Sequence, residues 1–139
     1  MWRSTLSSSR IIPQAGKNYG RPIVSWGSHY DGRKIPEPPT YPEFADAIYH
    51  WNPVISPSRM TFYIADAIPA WRGNLLIGGL SSQAIVRLAL DGETVTAEER
   101  IPMGARIRDV VQGLTVRSLR FTDEYDGKIL RLALENSPK

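Results

Sequence analysis

Ile85-Val86-Arg87-Leu88-Ala89-Leu90 returns 44 residues later as Ile129-Leu130-Arg131-Leu132-Ala133-Leu134. Each copy is an aliphatic run with one arginine at its third position. Leu75 and Ile77 fall by the same spacing on Leu119 and Phe121, so the apolar alternation of the preceding segment is kept as well. Alternate residues of a strand point to opposite faces, so a repeat that preserves alternation preserves which side chains face a core. A period of roughly 40–50 residues built from four short strands is the sequence mark of β-propeller blades. Working outward, strands are expected at 60–64, 75–79, 84–90 and 94–101. Turns are expected at Pro69-Ala70-Trp71-Arg72-Gly73 and at Asp91-Gly92. A second set is expected around Val110, at 118–122 and at 128–134. The fold class that follows is all-β: antiparallel four-stranded blades, about two of them.

The domain organisation expected is an irregular N-terminal arm over 1–15, a loop-rich segment with short strands over 16–57, a complete blade over 58–102, and a second, incomplete blade with a tail over 103–139. In the loop-rich segment, Ile23-Val24-Ser25-Trp26 and Ile48-Tyr49-His50-Trp51 read as short strands. The run with Pro36, Pro38, Pro39 and Pro42 reads as an extended surface loop, because proline cannot donate to a ladder. A closed propeller needs at least four blades, and two leave unpaired strand edges. The expectation is either a piece of a larger propeller or a module that meets a partner at its open edge. Self-assembly is one form of the latter, with three two-blade copies completing a six-blade ring.

The composition is that of a globular chain, with 139 residues, 42% hydrophobic and 22% charged. Eleven glycines and eleven prolines favour strands and loops over long helices. The net charge of +3 and pI near 9.4 arise from scattered basic residues. With no basic cluster interleaved with aromatics, nucleic-acid binding is not expected. Without cysteine there are no disulfides and no thiolate metal sites. No apolar run approaches the ~18 residues of a membrane span, and the Ser-rich start lacks the apolar core of a signal peptide.

Arg106-Ile107-Arg108-Asp109-Val110 carries the one constellation with chemical content. On a strand, Arg106 and Arg108 share a face about 7 Å apart. Each guanidinium can grip a carboxylate or phosphate through two parallel hydrogen bonds. The pair therefore suits an anion clamp, such as one for a ligand with several carboxylates. The same spacing also fits a solvated strand face with ordinary ion pairs.

A series of motifs in fixed order extends this reading. They are Gly16-Lys17-Asn18-Tyr19-Gly20-Arg21-Pro22, Ser25-Trp26-Gly27, Tyr30-Asp31-Gly32, Trp51-Asn52-Pro53, Ser56-Pro57-Ser58, Trp71-Arg72-Gly73-Asn74-Leu75, Glu98-Glu99-Arg100, the Arg106–Val110 stretch, and Asp126-Gly127. Together they resemble the C-terminal part of the soluble aldose sugar dehydrogenases that depend on pyrroloquinoline quinone (PQQ), the glucose/sorbosone dehydrogenase family. The resemblance implies a six-bladed propeller with PQQ over its channel and calcium beside it. It also implies periplasmic oxidation of a sugar substrate by hydride transfer to the quinone. By the same resemblance, Arg106 and Arg108 hold PQQ, which carries three carboxylates, and Trp51 lies near the cofactor as an aromatic wall. Trp51 equally suits a half-buried aromatic at a blade edge.

The departures matter as much. The family's catalytic histidine belongs to an earlier blade, and neither His29 nor His50 matches it, so no catalytic residue is expected here. The family's Gly-rich acidic segment is replaced by Ser7-Ser8-Ser9-Arg10, so no metal ligand is expected either. Ser81 stands where some members have a cofactor-contacting lysine. The match breaks before Ile11 and again over 114–120, where a turn is missing, as a shifted reading frame or a degraded remnant would produce. The expected function is that of a sugar-dehydrogenase fragment, inactive as an isolated chain. The alternative is a noncatalytic β-module.

Overall fold

A computed structural model describes residues 14–29, 31–113, 119–123 and 125–132. The chain divides into two compact units, Met1–Ser56 and Pro57–Lys139. The second holds seven strands: β1 (Pro57–Phe62), β2 (Leu75–Gly79), β3 (Ala84–Asp91), β4 (Thr94–Pro102), β5 (Ile107–Gln112), β6 (Leu119–Asp123) and β7 (Ile129–Leu132). They form two antiparallel sheets, β1-β2-β3-β4 and β5-β6-β7. Each is a meander in which every strand pairs with the next, the arrangement of propeller blades.

The repeat seen in the sequence is a repeat of register. Leu75 pairs with Leu88 and Ile77 with Val86, and 44 residues on Leu119 pairs with Leu132 and Phe121 with Leu130. The first strands correspond too, at a different spacing. Pro57 opposes Gly79 and Met60 opposes Ile77, while 50 residues on Ile107 opposes Asp123 and Val110 opposes Phe121. Both first strands carry a register slip at this point, so the bulge belongs to the repeat. The change of spacing has a simple source: the β1–β2 connection spans 63–74, and the β5–β6 connection spans only 113–118.

Burial follows strand position. All five residues of β2 are buried, as its unbroken Leu-Leu-Ile-Gly-Gly run requires of a strand covered on both faces. β4, the outer edge, is mostly exposed and bears Glu98, Glu99 and Arg100, charges that discourage further pairing. A core between the two sheets joins Tyr63, Ala65, Leu76 and Ile85 to Ile107, Val110, Leu119 and Phe121. Ser58 ties the sheets at their start. Its hydroxyl lies 2.8 Å from the Ile107 carbonyl oxygen and 3.0 Å from that of Gly78, and it shares its proton between the two. Further along, the Ile64 N–H donates to Gln112 Oε1 at 2.8 Å.

Strand boundaries depart from the sequence expectation mainly in β1. It begins at Pro57 and ends at Phe62, whereas 60–64 was the expected range. Tyr63 leaves the ladder to pair its amide with the Asn74 carbonyl at 2.9 Å and to bury its ring. The part of the third repeat strand beyond Leu132, and the anomalous 114–118 segment, lie outside the described residues.

Two expected strands of the first unit are absent. Ile23 and Val24 form a turn, with both amides donating to the Gly20 carbonyl at 2.7 and 3.0 Å, and the only bridge there joins Ser28 to Lys34 among the described residues. The 48–51 segment has no ladder either. Its rings pack one on another instead. His50 stacks on Trp26 at 4.5 Å and Tyr49 meets Trp51 edge-on at 5.3 Å. The proline run is irregular as expected, apart from one 3-10 turn at Pro38–Thr40.

The contact between Asp31 and Arg33 of this unit is expected to respond to pH. The Asp31 carboxylate accepts the Arg33 amide at 3.0 Å and the Arg33 Nε at 2.7 Å, and these bonds hold its pKa below 3.8. A carboxylate with a lowered pKa stabilises the fold above its unfolded pKa and loses that contribution as pH falls through the lowered value. The Arg33 amide resonance is therefore expected to be steady from neutral pH down to the ordinary aspartate range and to shift only below it. A midpoint at or above 3.8 would contradict the contact.

Candidate functional site

Ile107 is fully buried between the sheets, and it anchors the start of β5. Arg106 before it is half-buried, and Arg108 after it is exposed. The two guanidiniums thus flank a fixed point of the backbone. Arg108 lies within the register slip of β5, between Ile107 and Asp109. A bulge re-aims the side chains it carries, so strict alternation does not govern this pair. By the repeat, Arg108 holds the place of Ser58, and Asp109 that of Arg59.

Asp109 is the residue that binds this stretch to the neighbouring sheet. Arg59 Nε stands 3.4 Å from Asp109 Oδ1, an ion pair too poorly aligned to be a hydrogen bond. With Arg59 largely exposed, the pair contributes less than about 1 kcal/mol. The cross-sheet roles of Ser58, Arg59 and Asp109 were missed in the sequence. The 50-residue correspondence between β1 and β5 would have revealed them, but the unequal connections hide it beside the 44-residue one.

Trp51 belongs to the first unit, where it is 8% exposed with its ring against Tyr49. Arg106, Arg108 and Trp51 each take part in further interactions. His50 is exposed and stacked on Trp26, whose Nε1 donates to Asp46 Oδ1 at 2.9 Å. His29 is exposed as well. Among the described residues, no three His, Asp or Glu side chains gather as a metal site.

Chemically, the start of β5 offers two permanent cations held near one buried anchor. That donor set fits a small organic polyanion such as a tricarboxylate, to which guanidiniums bind in bidentate fashion. Fold and site together define a pair of propeller blades with a cationic motif at the start of the first strand of the second sheet.

The sequence model for Glucose / Sorbosone dehydrogenase matches residues 11–131, and the chain belongs to that family. The aldose sugar dehydrogenase YliI of Escherichia coli (strain K12) is 36% identical over 129 residues, covering 90% of this chain and 35% of that protein. The uncharacterized protein slr1608 of Synechocystis sp. is 39% identical over 121 residues, covering 86% of this chain and 29% of its own length. Among solved structures, a glucose dehydrogenase superposes with a TM-score of 0.79 at 38% identity, over 89% of this chain and 37% of that one. The soluble aldose sugar dehydrogenase from Escherichia coli, in the apo-form, gives 0.72 at 33% identity, over 86% and 35%. The chain therefore spans about a third of the length of these relatives.

Proposed function

We propose that this chain is the part of a PQQ-dependent sugar dehydrogenase that supplies the cationic side of the cofactor site. The observation that carries the reading is the placement of Arg106 and Arg108 on either side of buried Ile107. PQQ, when bound, supplies a quinone that accepts hydride from the sugar, with calcium beside it in the family. Arg106 and Arg108 bind its carboxylates, and Trp51 contributes an apolar aromatic surface. By the same resemblance the reaction belongs to the periplasm. The resemblance puts the family's catalytic histidine in an earlier blade that neither His29 nor His50 matches, so the isolated chain is expected to bind without turning over.

Equilibrium dialysis of the purified chain against PQQ, with and without calcium, tests the binding role. Charge-assisted pairs each contribute about 1.5–3 kcal/mol, so Arg106→Ala with Arg108→Ala should weaken binding about 100-fold or more. Binding should also fall with rising salt. Unchanged affinity in the double variant would remove both arginines from the site. A parallel assay with a sugar and a dye acceptor should show no turnover, and oxidation by the chain alone would overturn the inactive reading.

A further inference from the structure

Gln83 stands 44 residues before Gly127, so the two hold the same place in the repeat, in the turns that lead into β3 and β7. Both adopt the left-handed backbone conformation, with φ of +49° at Gln83 and +63° at Gly127. Glycine enters that region freely, whereas a residue with a Cβ is strained there. Sheet two uses the unstrained residue, and sheet one keeps a side chain at the same position. Strain held in this way calls for a role for that side chain.

The Gln83 side chain reaches the turn of the other sheet. Its Nε2 donates to Tyr125 Oη at 3.3 Å, across 42 residues. Its backbone carbonyl accepts the Met103 amide at 2.9 Å. Met103 opens the crossing 103–106 from β4 to β5, and Arg106 closes it. Tyr125 is held at its own end. Its amide donates to Asp123 Oδ1 at 2.7 Å, and Asp123 is buried directly opposite Ile107. Gln83, Met103, Arg106, Ile107, Asp123 and Tyr125 thus lie on one closed circuit that runs through the entry of β5. The Gln83–Tyr125 bond joins that circuit through two exposed side chains. A bond so open to water adds little to global stability, so stability does not account for the strain at Gln83.

We propose that Gln83 and Tyr125 are positioning residues: their bond closes the circuit and fixes the backbone path that presents Arg106 to an anionic ligand. The proposal rests on the reading of Arg106 as a cofactor ligand and adds two residues that act through it. Without the bond, the turns of the two sheets move independently. The crossing is then held at Met103 alone on one side and by the Ile107–Asp123 pair on the other.

Tyr125→Phe removes the hydroxyl and nothing else, and Gln83→Gly removes the side chain together with its strain. Two readouts apply to the full chain: PQQ affinity by equilibrium dialysis, and amide hydrogen exchange at Ala105–Ile107 without ligand. Each variant should weaken PQQ about fivefold, the loss of roughly one hydrogen bond's worth of positioning. The two together should do no more than either alone, because they break the same bond. In an Arg106→Ala background Tyr125→Phe should have no further effect on affinity, an outcome that a merely structural role would not give. Protection at Ala105–Ile107 should fall in both variants, while the urea midpoint stays unchanged for Tyr125→Phe and does not fall for Gln83→Gly. Additive losses, a loss that persists without Arg106, or unchanged affinity would overturn the proposal. If the unaltered chain does not bind PQQ, the cofactor reading fails by itself. Exchange then decides the positioning role, and unchanged protection at Ala105–Ile107 would overturn it.

Discussion

Ile107→Ala is expected to lower the stability of the Pro57–Lys139 unit by about 2–5 kcal/mol, the range for truncating a fully buried branched side chain. Ile107 has no exposed surface and belongs to the core between the two sheets. Its backbone carbonyl also receives the Ser58 hydroxyl, so loss of the side chain loosens a point tied in two ways. Urea unfolding followed by far-ultraviolet circular dichroism measures the change. A loss below about 1 kcal/mol would place Ile107 outside a packed interface. The same variant bears on function, because Ile107 separates the two arginines. PQQ binding should weaken in step with the loosening of β5, although no charge has been removed.

Gly78→Val should be comparably damaging for a different reason. A Cβ at Gly78 would lie 2.6 Å from Ser58 Oγ and 2.9 Å from the Ile107 carbonyl oxygen. The first neighbour is a small side chain that can turn away. The second is backbone of the adjoining sheet, and it yields only if the sheets separate. Overpacking of this kind costs about 1–3 kcal/mol, and valine adds two further methyl groups. Gly78→Ala made together with Ser58→Ala isolates the cause. Removing the hydroxyl should relieve only part of the loss, because the carbonyl contact remains. Full recovery would show that the serine, and not the approach of the sheets, excludes a side chain there. Thr122 occupies the equivalent place in sheet two, where no following sheet is described, so the repeat itself does not demand glycine.

These two residues mark where reading from sequence stops. The blade repeat and the strand alternation were legible. Each rests on residues close together along the chain, and alternation alone decides which side chains share a face. The arginine pair was legible as a motif. Its setting was not, because the slip in β5 shifts alternation at Arg108 itself. The apolar runs at 23–26 and 48–51 carried a strand-like composition. Composition cannot show whether a neighbouring strand exists, and the Gly20 turn and the ring pairs claimed those residues instead.

From its sequence alone, this chain is an all-β repeat of the glucose/sorbosone dehydrogenase family with a double arginine at the entry of its second blade. Only the tertiary structure decided that Gly78 and Ser58 admit the neighbouring sheet, that Asp109 reaches across to Arg59, and that Arg87 pairs with Glu99. Periodicity is a property of neighbours in the chain. Close approach and charge balance depend on residues 20, 49 or 50 positions apart, whose meeting is set by how the sheets pack.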